Sequence, residues 1–126
     1  MTHTFFTTIR YELFAFLGAV RFFTRIPVSD RIPHSEALLN HAARYFPAVG
    51  LLVGLVSALA FGLSLMALPK SVSVLIAMAA SIYLTGAFHE DGLTDMTDGL
   101  GGGWEKHRIL EIMKDSRVGS YGVIAI

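Results

Sequence analysis

The sequence predicts an all-α fold, a polytopic helical bundle embedded in a membrane, and three observations carry that expectation. Two runs, Tyr45–Pro69 and Val72–Phe88, contain no charged side chain at all. Hydrophobic residues make up 53% of the chain and charged residues 16%, against roughly 25% charged in soluble domains; the mean hydropathy is +0.57. Small residues recur every four positions inside both runs, the pattern by which helices approach one another in lipid. Helices satisfy their own backbone polar groups, which is what hydrocarbon demands of any spanning segment.

Composition removes several function classes. The formal net charge is zero, so no basic field favours nucleic acid. The absence of cysteine excludes disulfides, thiolate metal sites and cysteine nucleophiles. The N-terminus lacks the basic region and cleavage site of a signal peptide. Residues 1–126 are expected to form the N-terminal part of a single membrane-embedded domain, because Tyr121–Ile126 reads as the opening of a further hydrophobic segment.

Residues 4–25 are rich in Phe and Leu but are interrupted by Arg10, Glu12, Arg21 and Arg25. The longest uncharged run among them, Leu13–Val20, is too short to span hydrocarbon. The spacing predicts an interfacial helix with snorkelling arginines; a soluble-type helix packed on the rest of the chain fits equally well. Thr24–Pro27 ends it, and residues 27–34 form a polar loop with two prolines. Ser35 is placed to cap a short helix from Glu36 to about Arg44.

Tyr45–Pro69 is 25 residues long, enough for one transmembrane helix at about 20 residues. Gly50, Gly54, Ala58 and Gly62 form its stripe of small residues. Pro69-Lys70-Ser71 is the expected tight turn. Val72–Phe88 is the second span, with its own stripe of Ser73, Ala77, Ser81 and Thr85. The two stripes are expected to face each other in a transmembrane hairpin. Arg10, Arg21, Arg25, Arg31 and Arg44 precede the hairpin, and Lys106, Arg108, Lys114 and Arg117 follow it. Only Lys70 lies in the turn, so the positive-inside rule puts both flanks on the cytoplasmic side.

The second span is expected to run directly into His89–Gly103. This stretch holds four of the ten acidic residues, Glu90, Asp91, Asp95 and Asp98. On a helix Asp91, Asp95 and Asp98 line one face, with Glu90 about a quarter-turn away. Carboxylates so placed repel unless a cation lies among them, and at the C-terminal end of a helix the dipole disfavours them as well. A hard cation such as Mg²⁺ suits oxygen ligands, so Glu90, Asp91, Asp95 and Asp98 are the predicted metal ligands. Simple solvation at a helix end is the plainer alternative. Gly92 reads as a place of close approach by backbone or substrate. Gly99–Gly103 is read as the end of the helix, and Glu105–Asp115 as an amphipathic helix with Ile109, Ile112 and Met113 on its apolar side.

Lys114, Ser116, Arg117, Gly119 and Ser120 would make a phosphate cradle, with Asp115 either a further metal ligand or the orienter of Arg117. A solvated loop is the alternative. Acidic and basic groups at one membrane face point to Mg²⁺-dependent transfer of a phosphate ester. Asp91, Asp95 and Asp98 are then the catalytic candidates, and a carboxylate not engaged by metal can take the proton of an attacking hydroxyl. His89 is read as structural, and His3, His34, His41 and His107 receive no role. Trp104 is read as an interface anchor.

HEDGLTDMTDGLGGG (His89–Gly103) followed by KDSRVGSYG (Lys114–Gly122) resembles the signature of the cobalamin synthase family, the adenosylcobinamide-GDP ribazoletransferases. FFTRIP (Phe22–Pro27) and RYFPAVGLLVG (Arg44–Gly54) look like the early blocks of that family. The resemblance implies a multi-pass inner-membrane enzyme with its site facing the cytoplasm. It implies Mg²⁺ and the substrates adenosylcobinamide-GDP and α-ribazole or its 5′-phosphate, with release of GMP. Metal at Glu90, Asp91, Asp95 and Asp98 would screen the diphosphate, and Lys114 and Arg117 would contact it. Membrane lipid is the surrounding partner, nucleic acid is not one, and homo-oligomerisation stays open. Family members are about twice as long, so residues 1–126 alone are expected to be inactive.

Two other readings compete. A CDP-alcohol phosphotransferase would follow its Asp-Gly with Ala-Arg, whereas Asp91-Gly92 is followed by Leu93-Thr94-Asp95. A non-catalytic Mg²⁺-binding hairpin or transporter fragment is the other. A transporter would carry ionisable groups near the bilayer middle, and neither uncharged run has any.

Overall fold

A computed structural model describes residues 2–126, with side chains from residue 8 onward, so His3 lies outside the described side chains. All described secondary structure is helical, and the chain divides into two units, Met1–Gly86 and Ala87–Ile126. The first holds α1 (Thr2–Phe23), α2 (Glu36–Ala42), a 3₁₀ turn (Ala43–Tyr45), α3 (Phe46–Leu65) and α4 (Lys70–Thr85). The second holds α5 (Phe88–Gly102), α6 (Lys106–Met113) and α7 (Ser120–Ala125).

In the first unit α1 packs on α2 and α3. Ala15, Ala19 and Val20 meet Leu38 and Ala42 of α2 and Val49 of α3 in one core, closed by Ile32 from the loop. Alanines at the contact let the helix axes come close. Phe23 stacks edge-on to Phe46 at 4.6 Å between ring centres. The helix ends where expected: the Thr24 hydroxyl donates back to the Val20 carbonyl at 2.7 Å. The chain then turns away, and the Arg25 N–H donates to the Leu84 carbonyl near the end of α4 at 2.8 Å. Ser35 caps α2 as its sequence requires, its side chain accepting from the Leu38 N–H at 3.2 Å.

The sequence reading left His41 without a role, and the structure supplies one. The Glu12 carboxylate of α1 accepts from Tyr45 Oη at 2.7 Å, from Arg44 Nη1 at 3.1 Å, and contacts His41 Nε2 at 3.1 Å. One acid thus gathers three groups from the α2–α3 junction and ties α1 to it. Tyr45, and then His41, hydrogen-bond to the ionised form and hold the Glu12 carboxyl below its ordinary value of 4.5.

Glu36–Leu65 runs on as 30 helical residues, long and apolar enough to cross a membrane. α3 and α4 pack along one another as a hairpin. The expected face-to-face meeting of the two small-residue stripes does not occur. Gly50, Gly54 and Gly62 have open space where a Cβ would stand, whereas Ser73 is completely buried and Thr85 nearly so. The half-buried side of α3 carries Leu52, Val53, Val56 and Ala60 instead. Small residues on one helix are best filled by larger side chains on the other, not by a second small stripe. Leu51, Leu55, Leu59, Leu63 and Met66 form an exposed apolar outer face. The turn also lies earlier than expected, at Met66–Leu68, because Pro69 takes the position before the first helical residue, Lys70. A proline there gives up no helical hydrogen bond.

The second span does not run into the acidic stretch as one helix. Gly86 ends α4 with φ 68°, and Ala87 follows with φ 62°. Two successive left-handed residues stop the helix, and Ala87 bears about 1–2 kcal/mol for a conformation its Cβ disfavours. Glycine is favoured at 86 twice over, by its left-handed φ and because a Cβ there would meet Arg25 Nε at 2.8 Å.

Because the Glu12 carboxyl is lowered in the folded chain, its contribution is complete above the ordinary carboxylate range. It is lost as pH falls through the lowered value. Glu12→Gln should therefore speed amide exchange in Ala15–Val20 at pH 7, and the gap to the parent should close as pH is lowered into that range. An equal gap at every pH would contradict this role for the Glu12 charge.

Candidate functional site

The acidic stretch starts a helix of its own. Glu90 and Asp91 occupy the first turn of α5, where the positive end of the helix dipole favours carboxylates. The expectation that they sit at a disfavoured C-terminal end is thus corrected, and with it one reason for requiring a cation. Asp91 is exposed and Asp95 half-buried. Four residues apart in an unbroken helix, they share the face predicted for them. Glu90 Oε2 is buried and has no hydrogen-bond partner. Thr94 and Thr97 turn their hydroxyls back to the Glu90 and Leu93 carbonyls, at 2.8 and 3.0 Å.

Asp98 differs from the other three. It is 7% exposed, and both oxygens are engaged: Oδ2 accepts the Gly119 N–H at 2.7 Å and Oδ1 the Gly122 N–H at 2.8 Å. Gly119 is the N-cap residue of α7 and has no side chain with which to cap it. Asp98 supplies the missing cap from another helix, bonding the N-cap and third-position amides, and its charge strengthens both bonds. A Cβ on Gly119 would collide with the Asp98 carboxylate, and one on Gly122 with Asp98 Oδ2 and the Thr94 methyl.

The other glycines follow the same logic. Gly99–Gly103 does not break the helix at its start; α5 continues to Gly102. A Cβ on Gly99 would meet Met113 Cγ at 2.6 Å, one on Gly101 the Tyr121 ring at 2.5 Å, and one on Gly103 Ile109 Cγ1 at 2.8 Å. The run is therefore a contact surface for α6 and α7. Ile109, Ile112 and Met113 face it, as the apolar pattern of the α6 segment predicts. Gly92 is different, with nothing within 4 Å of a would-be Cβ.

The loop between α6 and α7 carries the basic residues. Asp115 orients Arg117, accepting from its backbone N–H at 3.0 Å, from Nε at 3.0 Å and from Nη2 at 2.6 Å. That fork lowers the Asp115 carboxyl from 3.8 to about 2. The expected cradle is altered: the Gly119 amide belongs to Asp98, and the Arg117 backbone N–H and two of its guanidinium nitrogens belong to Asp115. Lys114, Ser116, Arg117 and Ser120 are exposed. Beside them lies an open cleft of ≈ 480 Å³ lined by Asp98, Arg108, Glu111, Asp115, Arg117 and Tyr121, among others. Arg108 and Glu111, paired at 2.8 Å, were not among the sequence candidates. Their i, i+3 placement on the polar side of α6 was the available signal.

Among the described residues, no three His, Asp or Glu side chains converge closely enough to hold a metal ion. Two carboxylates on one helix face, Asp91 and Asp95, still match what Mg²⁺ takes from a protein. It commonly uses one or two carboxylates and completes its shell with water and substrate phosphate. The donor set therefore suits an open hard-cation site and not a closed cage.

A family described as cobalamin-5-phosphate synthase matches residues 15–126. A relative from Shewanella amazonensis named adenosylcobinamide-GDP ribazoletransferase is 56% identical over 120 residues, covering 95% of this chain and 46% of its own length. Relatives of the same name from Vibrio parahaemolyticus and Vibrio cholerae are 51% identical over 119 residues and 52% over 118, each covering 94% of this chain and 45% of its own. The chain spans about half the length of the curated relatives it matches. No solved structure matches it.

The glycine geometry separates two roles by a single substitution type. Gly92→Ala, in an open helix interior, should raise thermal stability by up to about 1 kcal/mol. Gly101→Ala should lower it by about 1–3 kcal/mol by driving a methyl into the Tyr121 ring. Equal effects in melting experiments would contradict the packing described.

Proposed function

The chain belongs to the cobalamin-5-phosphate synthase family, and on that premise we propose that a whole enzyme of the relatives' length uses it for corrinoid nucleotide transfer. The reaction joins the adenosylcobinamide phosphate of adenosylcobinamide-GDP to α-ribazole or its 5′-phosphate and releases GMP. The family match over residues 15–126 is the observation that carries the reading. The pairing of the two signature segments within one unit supports it.

In this reading the ribazole hydroxyl attacks the phosphorus next to the cobinamide, and the bond to the GMP oxygen breaks. Asp91 and Asp95 hold Mg²⁺, with Glu90 beside them. Bound Mg²⁺ supplies neutralisation of charge on the diphosphate. Arg117, held in one orientation by Asp115, and Lys114 bind the phosphate that departs with GMP. A carboxylate of the α5 row takes the hydroxyl proton. Open space at Gly92 leaves room for substrate against the helix backbone. The basic residues flanking the hairpin favour a cytoplasmic site in the inner membrane, where nucleotide is available.

Asp91→Asn and Asp95→Asn, each made in the full-length enzyme, should lower GMP release by about 100-fold or more. Unchanged turnover in both variants would sink the assignment of this face to the reaction.

A further inference from the structure

We infer that Asp98 is a positioning residue and not a metal ligand: it fixes the Lys114–Gly119 loop against α5 by capping α7. Three observations carry this. Both Asp98 oxygens are already bonded to backbone N–H groups, at 2.7 and 2.8 Å. The side chain is buried, while Asp91 is exposed on the same helix. The two amide donors belong to glycines that admit no Cβ, so backbone and carboxylate are in direct contact there.

The consequence concerns register. α5 carries Asp91 and Asp95, and the loop carries Lys114 and Arg117. These two groups must act on one phosphate ester, yet the polypeptide between them includes α6 and two turns. Asp98 lies one turn of α5 beyond Asp95, and it bonds Gly119, two residues after Arg117. It therefore sets the distance between the carboxylate row and the guanidinium by a short route through one side chain. A bare helix end could fray or shift by a residue; two charge-assisted bonds at the N-cap and third positions select one register. Asparagine in place of Asp98 keeps the shape, removes the charge, and offers only one acceptor oxygen for two donors.

The kinetic arm of the test rests on the transferase reading; the other two arms do not. Asp98→Asn, Gly122→Ala and Asp91→Asn would be made in the full-length protein. Gly122→Ala pushes a methyl into the Asp98 carboxylate without altering any charge. Amide exchange over residues 119–122 would be followed in Mg²⁺-free protein, Mg²⁺ binding by calorimetry, and GMP release against donor and Mg²⁺ concentration.

For Asp98→Asn and Gly122→Ala, exchange over 119–122 should be faster by about tenfold or more. Mg²⁺ affinity should be unchanged, and KM for the nucleotide donor should rise by a similar factor. Asp91→Asn should show the reverse, weaker Mg²⁺ binding with unaltered exchange. A purely global destabilisation would lower the maximal rate with KM unchanged, and that result would overturn the positioning role. So would a tenfold loss of Mg²⁺ affinity in Asp98→Asn without faster exchange. If the parent protein released no GMP, the transferase reading would fail, and the exchange and calorimetry arms would still decide the place of Asp98.

Discussion

A single buried carboxylate ties together the helices of the second unit, Ala87–Ile126. Asp98 lies in the last turns of α5, where the helix dipole opposes a negative charge, and burial opposes it again. It is stable there because two backbone N–H groups of α7 point at it, at 2.7 and 2.8 Å. The benefit is mutual. α7 is only 6 residues long, its capping position is a glycine, and it would otherwise begin with unsatisfied donors. Gly119 and Gly122 are the price of that closeness.

The rest of the unit is arranged to allow this contact. Its apolar core is thin, and Thr94, Asp98 and Gly99 are the buried residues of α5. Helices with so little to bury pack by close approach, and Gly99, Gly101 and Gly103 provide it beneath Met113, Tyr121 and Ile109. The first unit uses the same two devices with other residues. Alanines bring α1 against α2 and α3, and one acid, Glu12, gathers His41, Arg44 and Tyr45. In each unit a carboxylate with several donors fixes the register that small residues alone would leave loose.

The sequence made legible what is local or periodic. Ser35 announces its helix because capping acts over three residues. The hairpin is visible because charge is absent from two runs, and the i, i+4 row of Asp91 and Asp95 follows from helix geometry. Contacts between distant residues stayed hidden. Glu12 and His41 are 29 positions apart, and nothing in either neighbourhood names the other. Asp98 was grouped with Asp91 and Asp95 because the helix pattern is blind to what lies opposite each side chain. The glycine run read as a helix end, since flexibility and close packing call for the same residue. The break before α5 was missed because Ala87 adopts a left-handed conformation that alanine rarely takes. Correcting it moved Glu90 and Asp91 from an unfavourable helix end to a favourable one.

The contact between Asp98 and the start of α7 is best tested by a double-mutant cycle, read from thermal unfolding of the detergent-solubilised protein. Gly119→Ala alone should be clearly destabilising, because its methyl collides with the Asp98 carboxylate. With Asp98→Ala already present the collision is gone, and Gly119→Ala should have almost no effect, giving a coupling of about 1 kcal/mol or more. The same loss from Gly119→Ala in both backgrounds would contradict the account.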